Sequence, residues 1–332
     1  MAIVVAGNTA IDTNNTEIGA LVEGDAVAAT ASYIRLLTGL WVDEFYGAFQ
    51  YDLFGDLAGG RLTGWKQMYN GHVVFDLSQI SVEVPTFLNW VAQDDNLGAV
   101  TSILSGSDSI SGSAFGDILS GWAGADTIQA GGGWDTVFGG LGNDSIGDAS
   151  GQNFLRGEDG DDYIQGGADF DDAHGNMGND TVRGGDGDDW VVGGKDEDLL
   201  YGEKGWDVVW GNLGNDTQYG DDGNDQVRGG QGDDIVHGGA GDDYVSGDRG
   251  NDTITGGTGA DRFHGSQDIG IDRVLDFNRL EGDRVLLDPG TTYTVRQEGA
   301  DTIIDMGGGH QMILVGVQQA ALSDGWIVSA WA

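Results

Sequence analysis

The 332-residue chain has no cysteine, which removes disulfides and thiolate metal sites from consideration. Proline occurs only twice, at Pro85 and Pro289, and the 62 glycines do not recur every third residue, so a collagen-like helix is excluded. Positive charge is scarce: 14 Lys and Arg stand against 55 Asp and Glu, a formal net charge of −41. Such a surface repels nucleic acid and anionic membranes and attracts cations. No run of about 18 apolar residues occurs, so no transmembrane helix is expected. Met1 to Ile34 holds neither Lys nor Arg, and so lacks the basic start of a secretory signal peptide. The expectation is a cytoplasmic protein or one exported by a route that reads another signal.

What the chain has instead is a period. From Ile103 to His264 it divides into eighteen nonapeptides without insertion or deletion, such as Gly229-Gly-Gln-Gly-Asp-Asp-Ile-Val-His237. The sixth position is Asp in seventeen units, Asn153 being the exception, and the eighth is apolar in seventeen, with Gln218 the exception. Glycine holds the first and fourth positions in fifteen units each. Low-complexity disorder would have no reason to keep an apolar residue in phase with an aspartate.

Each position has a mechanical reading. The glycines permit positive φ and tight turns. Positions seven to nine form a short strand whose eighth side chain points inward. Two units make one coil, alternate units stack at the ~4.8 Å strand spacing, and nine coils give a rod roughly 40 Å long. The core is then a thin ladder, with Ile128, Ile146, Ile164, Val182 and Leu200 facing Val137, Leu155, Val191 and Val209. That core cannot offset so many glycines, and stacking sets like-charged Asp columns side by side. A hard cation taking carboxylate and carbonyl oxygens answers both problems, and Ca²⁺ suits such turns better than Mg²⁺. The five scattered histidines read as surface residues rather than zinc ligands.

These units resemble the GGxGxDxUx repeats of the RTX family, the hemolysin-type calcium-binding proteins exported by type I secretion. The resemblance covers 162 of the 332 residues. It implies a parallel β-roll holding several Ca²⁺ ions, roughly 10–16 by the number of stacked half-turns, between turns of units n and n+2. The implied ligands are the sixth-position aspartates together with backbone carbonyls. One column is Asp108, Asp126, Asp144, Asp162, Asp180, Asp198, Asp216, Asp234 and Asp252. The other is Asp117, Asp135, Asp171, Asp189, Asp207, Asp225, Asp243 and Asp261, interrupted by Asn153. Weak or absent sites are expected near Phe115, which replaces a fourth-position glycine, and near Asn153, with full occupancy from Asp180 to Asp261. Asp169 and Asp196 also replace fourth-position glycines, but Asp tolerates the left-handed region better.

Residues 103–264 carry 33 acidic and 7 basic side chains, a net −26, which a calcium load of that size approximately cancels. The expectation is a chain unfolded inside the cell that folds on meeting calcium outside. Residues 265–332 read as strands at 271–277, 283–288, 292–296, 302–305 and 311–315, a cap that also resembles the uncleaved export signal of type I substrates. Residues 1–102 read as a small β-rich domain with strands at 32–38, 41–52, 61–68 and 72–77 and one helix over 85–104. The fold class is therefore all-β: N-terminal domain 1–102, β-roll 103–264, cap 265–332.

No His has the HExxH spacing of a zinc protease, and no Ser the GxSxG setting of a lipase, so no enzyme is expected. On the roll's outer faces, Trp190, Val192, Val208 and Trp210 fall together on one sheet, with Phe138, Phe154 and Tyr244 farther along it. Leu199, Tyr201, Tyr219 and Ile235 fall on the other. Contiguous exposed aromatics suggest a partner surface, the alternative being contact with the chain's own flanks. The expected function is a calcium-binding protein, extracellular or on the cell surface, that assembles with itself into a filament, matrix or surface layer. The alternative is an adhesin whose N-terminal domain grips polysaccharide or a host surface.

Overall fold

The computed structural model describes residues 3–6, 30–38, 41–51, 57–69, 72–83, 106–112, 114, 116–266 and 269–329, the first five segments by backbone alone. Their regular structure is all β except for one 3-10 turn at Gln319–Ala321. The helix expected over 85–104 lies outside the described residues. The chain divides into two compact units, Met1–Ile146 and Gly147–Ala332.

In the first unit, strands Thr30–Thr38, Trp41–Tyr51, Leu57–Tyr69 and His72–Glu83 form an antiparallel meander close to the expected one, with Ile3–Ala6 added beside the first. His72–Glu83 then pairs antiparallel with Ser109–Ser111, setting Leu77 opposite Ile110. From there pairing becomes parallel with a step of eighteen residues, as in Ile110 opposite Ile128 and Leu119 opposite Val137.

The second unit is a parallel β-roll with two sheets. One contains Thr181–Asp186, Leu199–Lys204, Thr217–Asp222, Ile235–Ala240 and Thr253–Thr258. The other contains Asn153–Asp159, Asp171–Met177, Trp190–Lys195, Val208–Leu213, Gln226–Gln231 and Tyr244–Arg249. The eighth-position side chains Val182, Leu200, Val236 and Ile254 of one sheet, and Leu155, Val191, Val209, Val227, Val245 and Phe263 of the other, are completely buried. The strands are longer than expected. Trp190–Lys195, for example, runs from position seven through position three of the next unit, because the backbone keeps pairing across the first-position glycine.

Stacking does not stop where the nine-residue spacing does. Ile271–Val274 pairs parallel with Thr253–Thr258, and Arg284–Leu287 with Arg262–Gly265, extending the core to Val274 and Val285. A hairpin of Asp301–Gly307 and His310–Leu314 follows, flanked by Thr294–Glu298. Ile327–Ser329 closes the other sheet.

Candidate metal centre

The sixth-position aspartates stand just before each strand, where the chain turns into the sheet, and they bond to one another along the roll. In one column the backbone N–H of Asp180 donates to Asp198 Oδ1 at 2.9 Å, Asp198 to Asp216 at 2.9 Å, and Asp216 to Asp234 at 2.8 Å. In the other, Asp189 donates to Asp207 at 2.7 Å, Asp207 to Asp225 and Asp225 to Asp243 at 2.9 Å each, and Asp243 to Asp261 at 3.1 Å. The first unit repeats the pattern in Asp108 to Asp126, Asp117 to Asp135 and Asp126 to Asp144. All seventeen aspartates named from the sequence are buried, including Asp162, Asp171, Asp234 and Asp252.

The ladder uses one oxygen of each carboxylate. The second oxygen, Oδ2, of Asp180, Asp189, Asp198, Asp207, Asp216, Asp225, Asp234, Asp243, Asp252 and Asp261 is buried and has no hydrogen-bond partner among the described residues. A buried carboxylate oxygen left unpaired is costly, so ten in a row call for a counter-group. Backbone carbonyls crowd the same place. A Cβ on Gly220 would meet both Asp225 Oδ2 and the Gly238 carbonyl, and one on Gly229 would meet Asp234 Oδ2 and the Gly247 carbonyl. Among the described residues no three His, Cys, Asp or Glu side chains gather at one point. Each rung therefore offers carboxylate oxygen with main-chain oxygen, a hard donor set that fits Ca²⁺.

Electrostatics agrees with geometry. The carboxyl groups of Asp189, Asp198 and Asp234 are pushed up to about 8, and those of Asp180, Asp225, Asp243 and Asp261 to about 7. Burial is the largest cause; repulsion from other acidic groups adds to it, and the backbone N–H of the neighbouring rung opposes it. Burial and like charge favour the protonated acid, and a cation at Oδ2 would reverse both.

The departures are informative. Asn153 puts an NH₂ where other rungs have an oxygen, donating to Asp171 Oδ1 at 2.8 Å and to the Gly151 carbonyl at 3.0 Å. Asp171 Oδ2 in turn accepts the Gly167 N–H at 2.9 Å, so this rung closes on itself. Phe115 lies outside the described residues. Asp169 and Asp196 adopt φ of 74° and 76°, and seven further non-glycine residues with positive φ occupy second positions, among them Trp122, Glu158 and Asp248. Gln218 is fully buried in the apolar ladder, and its Oε1 has no partner among the described residues.

Two rungs escaped the nine-residue period. Asp252 N–H donates to Asp272 Oδ1 at 3.4 Å and Asp261 N–H to Asp283 Oδ1 at 3.0 Å, across twenty and twenty-two residues instead of eighteen. Burial and then neighbouring Asp252 raise the Asp272 carboxyl. The signal was present as a repeated Asp-Arg-Val at 272–274 and 283–285, which preserves the spacing from aspartate to core residue after the glycines are gone.

The outer faces differ from the expectation in one respect. Val192 is buried, not exposed, and Trp190 and Trp210 stand edge to face with ring centres 5.5 Å apart in the wall of a groove. The opposite sheet carries a stack at position nine: the Arg183 guanidinium over Tyr201, Tyr201 on Tyr219 at 5.0 Å, and Tyr219 on His237 at 4.8 Å.

A family model described as the RTX calcium-binding nonapeptide repeat matches residues 104–133, 111–146, 149–182, 183–218, 219–254 and 237–271, together half of the chain. Among solved structures, the extracellular lipase LipA from Serratia marcescens aligns at 18% identity over 62% of this chain, with a TM-score of 0.27. The aligned region spans 45% of that lipase. The AlgE6R3 subunit of the Azotobacter vinelandii mannuronan C5-epimerase aligns at 27% identity over 42% of this chain and 80% of its own, with a TM-score of 0.23. No curated protein matches the chain.

Proposed function

Because the chain belongs to the RTX calcium-binding nonapeptide repeat family, we propose that it is an extracellular structural protein whose roll forms when calcium is met outside the cell. The observation that carries this reading is the file of buried, unpartnered Oδ2 atoms from Asp180 to Asp261. Calcium supplies the positive charge that lets these carboxylates stay ionised in the dry interior. The chain's own part is to hold each Oδ1 on a backbone N–H so that Oδ2 and the first-position carbonyls face one another. Extracellular modules of this kind bind with Kd on the order of 10⁻⁴–10⁻³ M, so the chain stays unfolded in the cytosol and passes the type I secretion apparatus in that state. The region after His264 serves as cap and export signal.

The folded roll assembles with further copies of itself into a filament, matrix or surface layer. The sheet bearing Leu199, Tyr201, Tyr219 and Ile235 supports this, since Ile235 is 43% exposed beside the aromatic stack. No catalytic role is assigned. Circular dichroism in EGTA and then millimolar CaCl₂ tests the folding, with sedimentation velocity and electron microscopy of the same samples for assembly. The expected result is a disordered spectrum that becomes β-rich with calcium, followed by large ordered particles. A β spectrum indifferent to calcium would falsify the folding reading; monodisperse rods would end only the assembly reading and favour the adhesin.

A further inference from the structure

The sheet opposite Leu199 and Ile235 is not flat. Its strands bend at the first-position glycine, and the second-position residues beyond the bend adopt positive φ, as Asn176 (84°) and Asn212 (76°) do. Position-nine side chains, with Trp190 from position seven, on one side of the bend and position-two and position-three side chains on the other thus become the walls of a groove of about 870 Å³. It runs from Glu158 to Arg249 and crosses six strands, roughly 24 Å at the usual strand spacing. Its volume lies within the range of small-molecule sites.

The lining combines two features. Trp190, 38% exposed, and Trp210 stand at 87° to each other, so a ring laid on one indole abuts the edge of the other. Trp210 Nε1 is itself buried without an acceptor among the described residues, so this indole offers the groove its ring rather than its N–H. Around the indoles, Arg228 is fixed by Asp248 at 2.9 Å, and the amides of Asn176, Asn212 and Gln231 add donors and acceptors in the same groove. In charge, Lys195, Arg228 and Arg249 balance Glu158, Asp159 and Asp248, leaving the groove formally neutral on a chain of −41.

We propose that this groove binds a neutral, linear oligosaccharide. Pyranose rings have an apolar C–H face that packs on indole and a rim of hydroxyls that take bidentate bonds from fixed guanidinium, carboxylate and amide groups. The ~4.8 Å rung spacing is close to the advance of one pyranose along an equatorially linked chain, so successive sugars meet successive coils. With calcium loaded the acidic excess of the roll is approximately cancelled and the lining is formally neutral, so the groove offers an acidic polysaccharide no net attraction. The proposal rests on the calcium-folded roll but not on self-assembly, which uses the other sheet.

The test uses the full chain in millimolar calcium, titrated by calorimetry and tryptophan emission with neutral hexasaccharides of β-1,4-glucan, β-1,3-glucan and β-1,4-mannan, and with hexagalacturonate. At least one neutral probe is expected to bind and shift the emission, with affinity lowered at least tenfold in Trp190→Ala and less in Trp190→Tyr. Calcium-induced circular dichroism shows that the roll is intact in each variant; absence of that β spectrum in the unmodified chain indicts the folding reading instead, and if Trp190→Ala does not fold, the affinity loss in Trp190→Tyr decides. Three outcomes overturn the proposal: no neutral probe binds the folded chain, hexagalacturonate binds more tightly than all of them, or binding survives Trp190→Ala. Sedimentation showing dimers that dissociate in Trp190→Ala would assign the groove to a second copy and also overturn it.

Discussion

The coils from Asp180 to Asp261 and the hairpin at 301–314 lie in one compact unit yet are stabilised by opposite means. In the hairpin, Ile304, Met312 and Leu314 are fully buried, with Ile303 and Met306 nearly so, and Thr302 places its hydroxyl on the Val317 carbonyl at 2.8 Å. Each coil contributes one core side chain per nine residues and buries an aspartate with it. The same residue type titrates in opposite directions in the two places. Asp305 is held below the ordinary range, first by the Gly307 N–H and then by Gln311 and Arg296, whereas Asp189, Asp198 and Asp234 are pushed far above it. Apolar burial suffices for the hairpin; the coils need a counter-charge.

Chelation should separate the two regions most sharply. With calcium removed, amide exchange across 180–261 is expected to become fast throughout, while 301–314 loses protection only in part. Equal protection of both regions with and without calcium would erase the contrast. The next largest effect is steric. Gly205 has φ of 140° and a Cβ there would fall on the Gly187 carbonyl, so Gly205→Ala should cost several kcal/mol and shift the calcium midpoint upward. Gly299→Ala, which meets nothing within 4 Å although its φ is 61°, should cost about 1 kcal/mol and leave that midpoint unmoved.

A pH series sharpens the electrostatic half. The ladder carboxyls have folded values above their unfolded ~3.8, so the metal-free fold binds more protons than the unfolded chain at intermediate pH. Their contribution is fully present below about pH 4 and is lost as pH rises through about 8. In calcium-free buffer the β signal should therefore grow as pH falls from 8 to 5; growth in the opposite direction would contradict the burial that causes the shifts. One further effect is a gain. Gln218→Val removes the unpartnered Oε1 from the apolar ladder and should raise stability by ~1–3 kcal/mol, read as a higher melting temperature in saturating calcium.

Much of this was legible in the chain. The inward eighth position, the Asp columns, the meander at 30–83 and the strands after 265 follow from periodicities of nine and two, which depend on local spacing alone. What was hidden depends on how non-adjacent units meet. The burial of Val192 and the groove before it require the bend at first-position glycines and the juxtaposition of position nine with position two of the next unit. Asp272 and Asp283 were hidden because loops lengthen the coil while leaving the aspartate-to-core spacing intact. The two oxygens of one carboxylate, one bonded and one not, are indistinguishable in a sequence.

The aspartate ladder also has a direction. From Asn153 to Asp261 each rung gives its N–H to the side chain of the rung that follows it in the chain, while the residue after the aspartate returns its N–H to the carbonyl of the rung before, as Leu199 does to Asp180 and Thr217 to Asp198. The last dependence falls on Asp272 and Asp283, held by the closing strands. A cut at either end therefore strands a different group: loss of the closing strands leaves the N–H groups of Asp252 and Asp261 without acceptors, whereas trimming from the front leaves the Oδ1 of the first remaining rungs without donors.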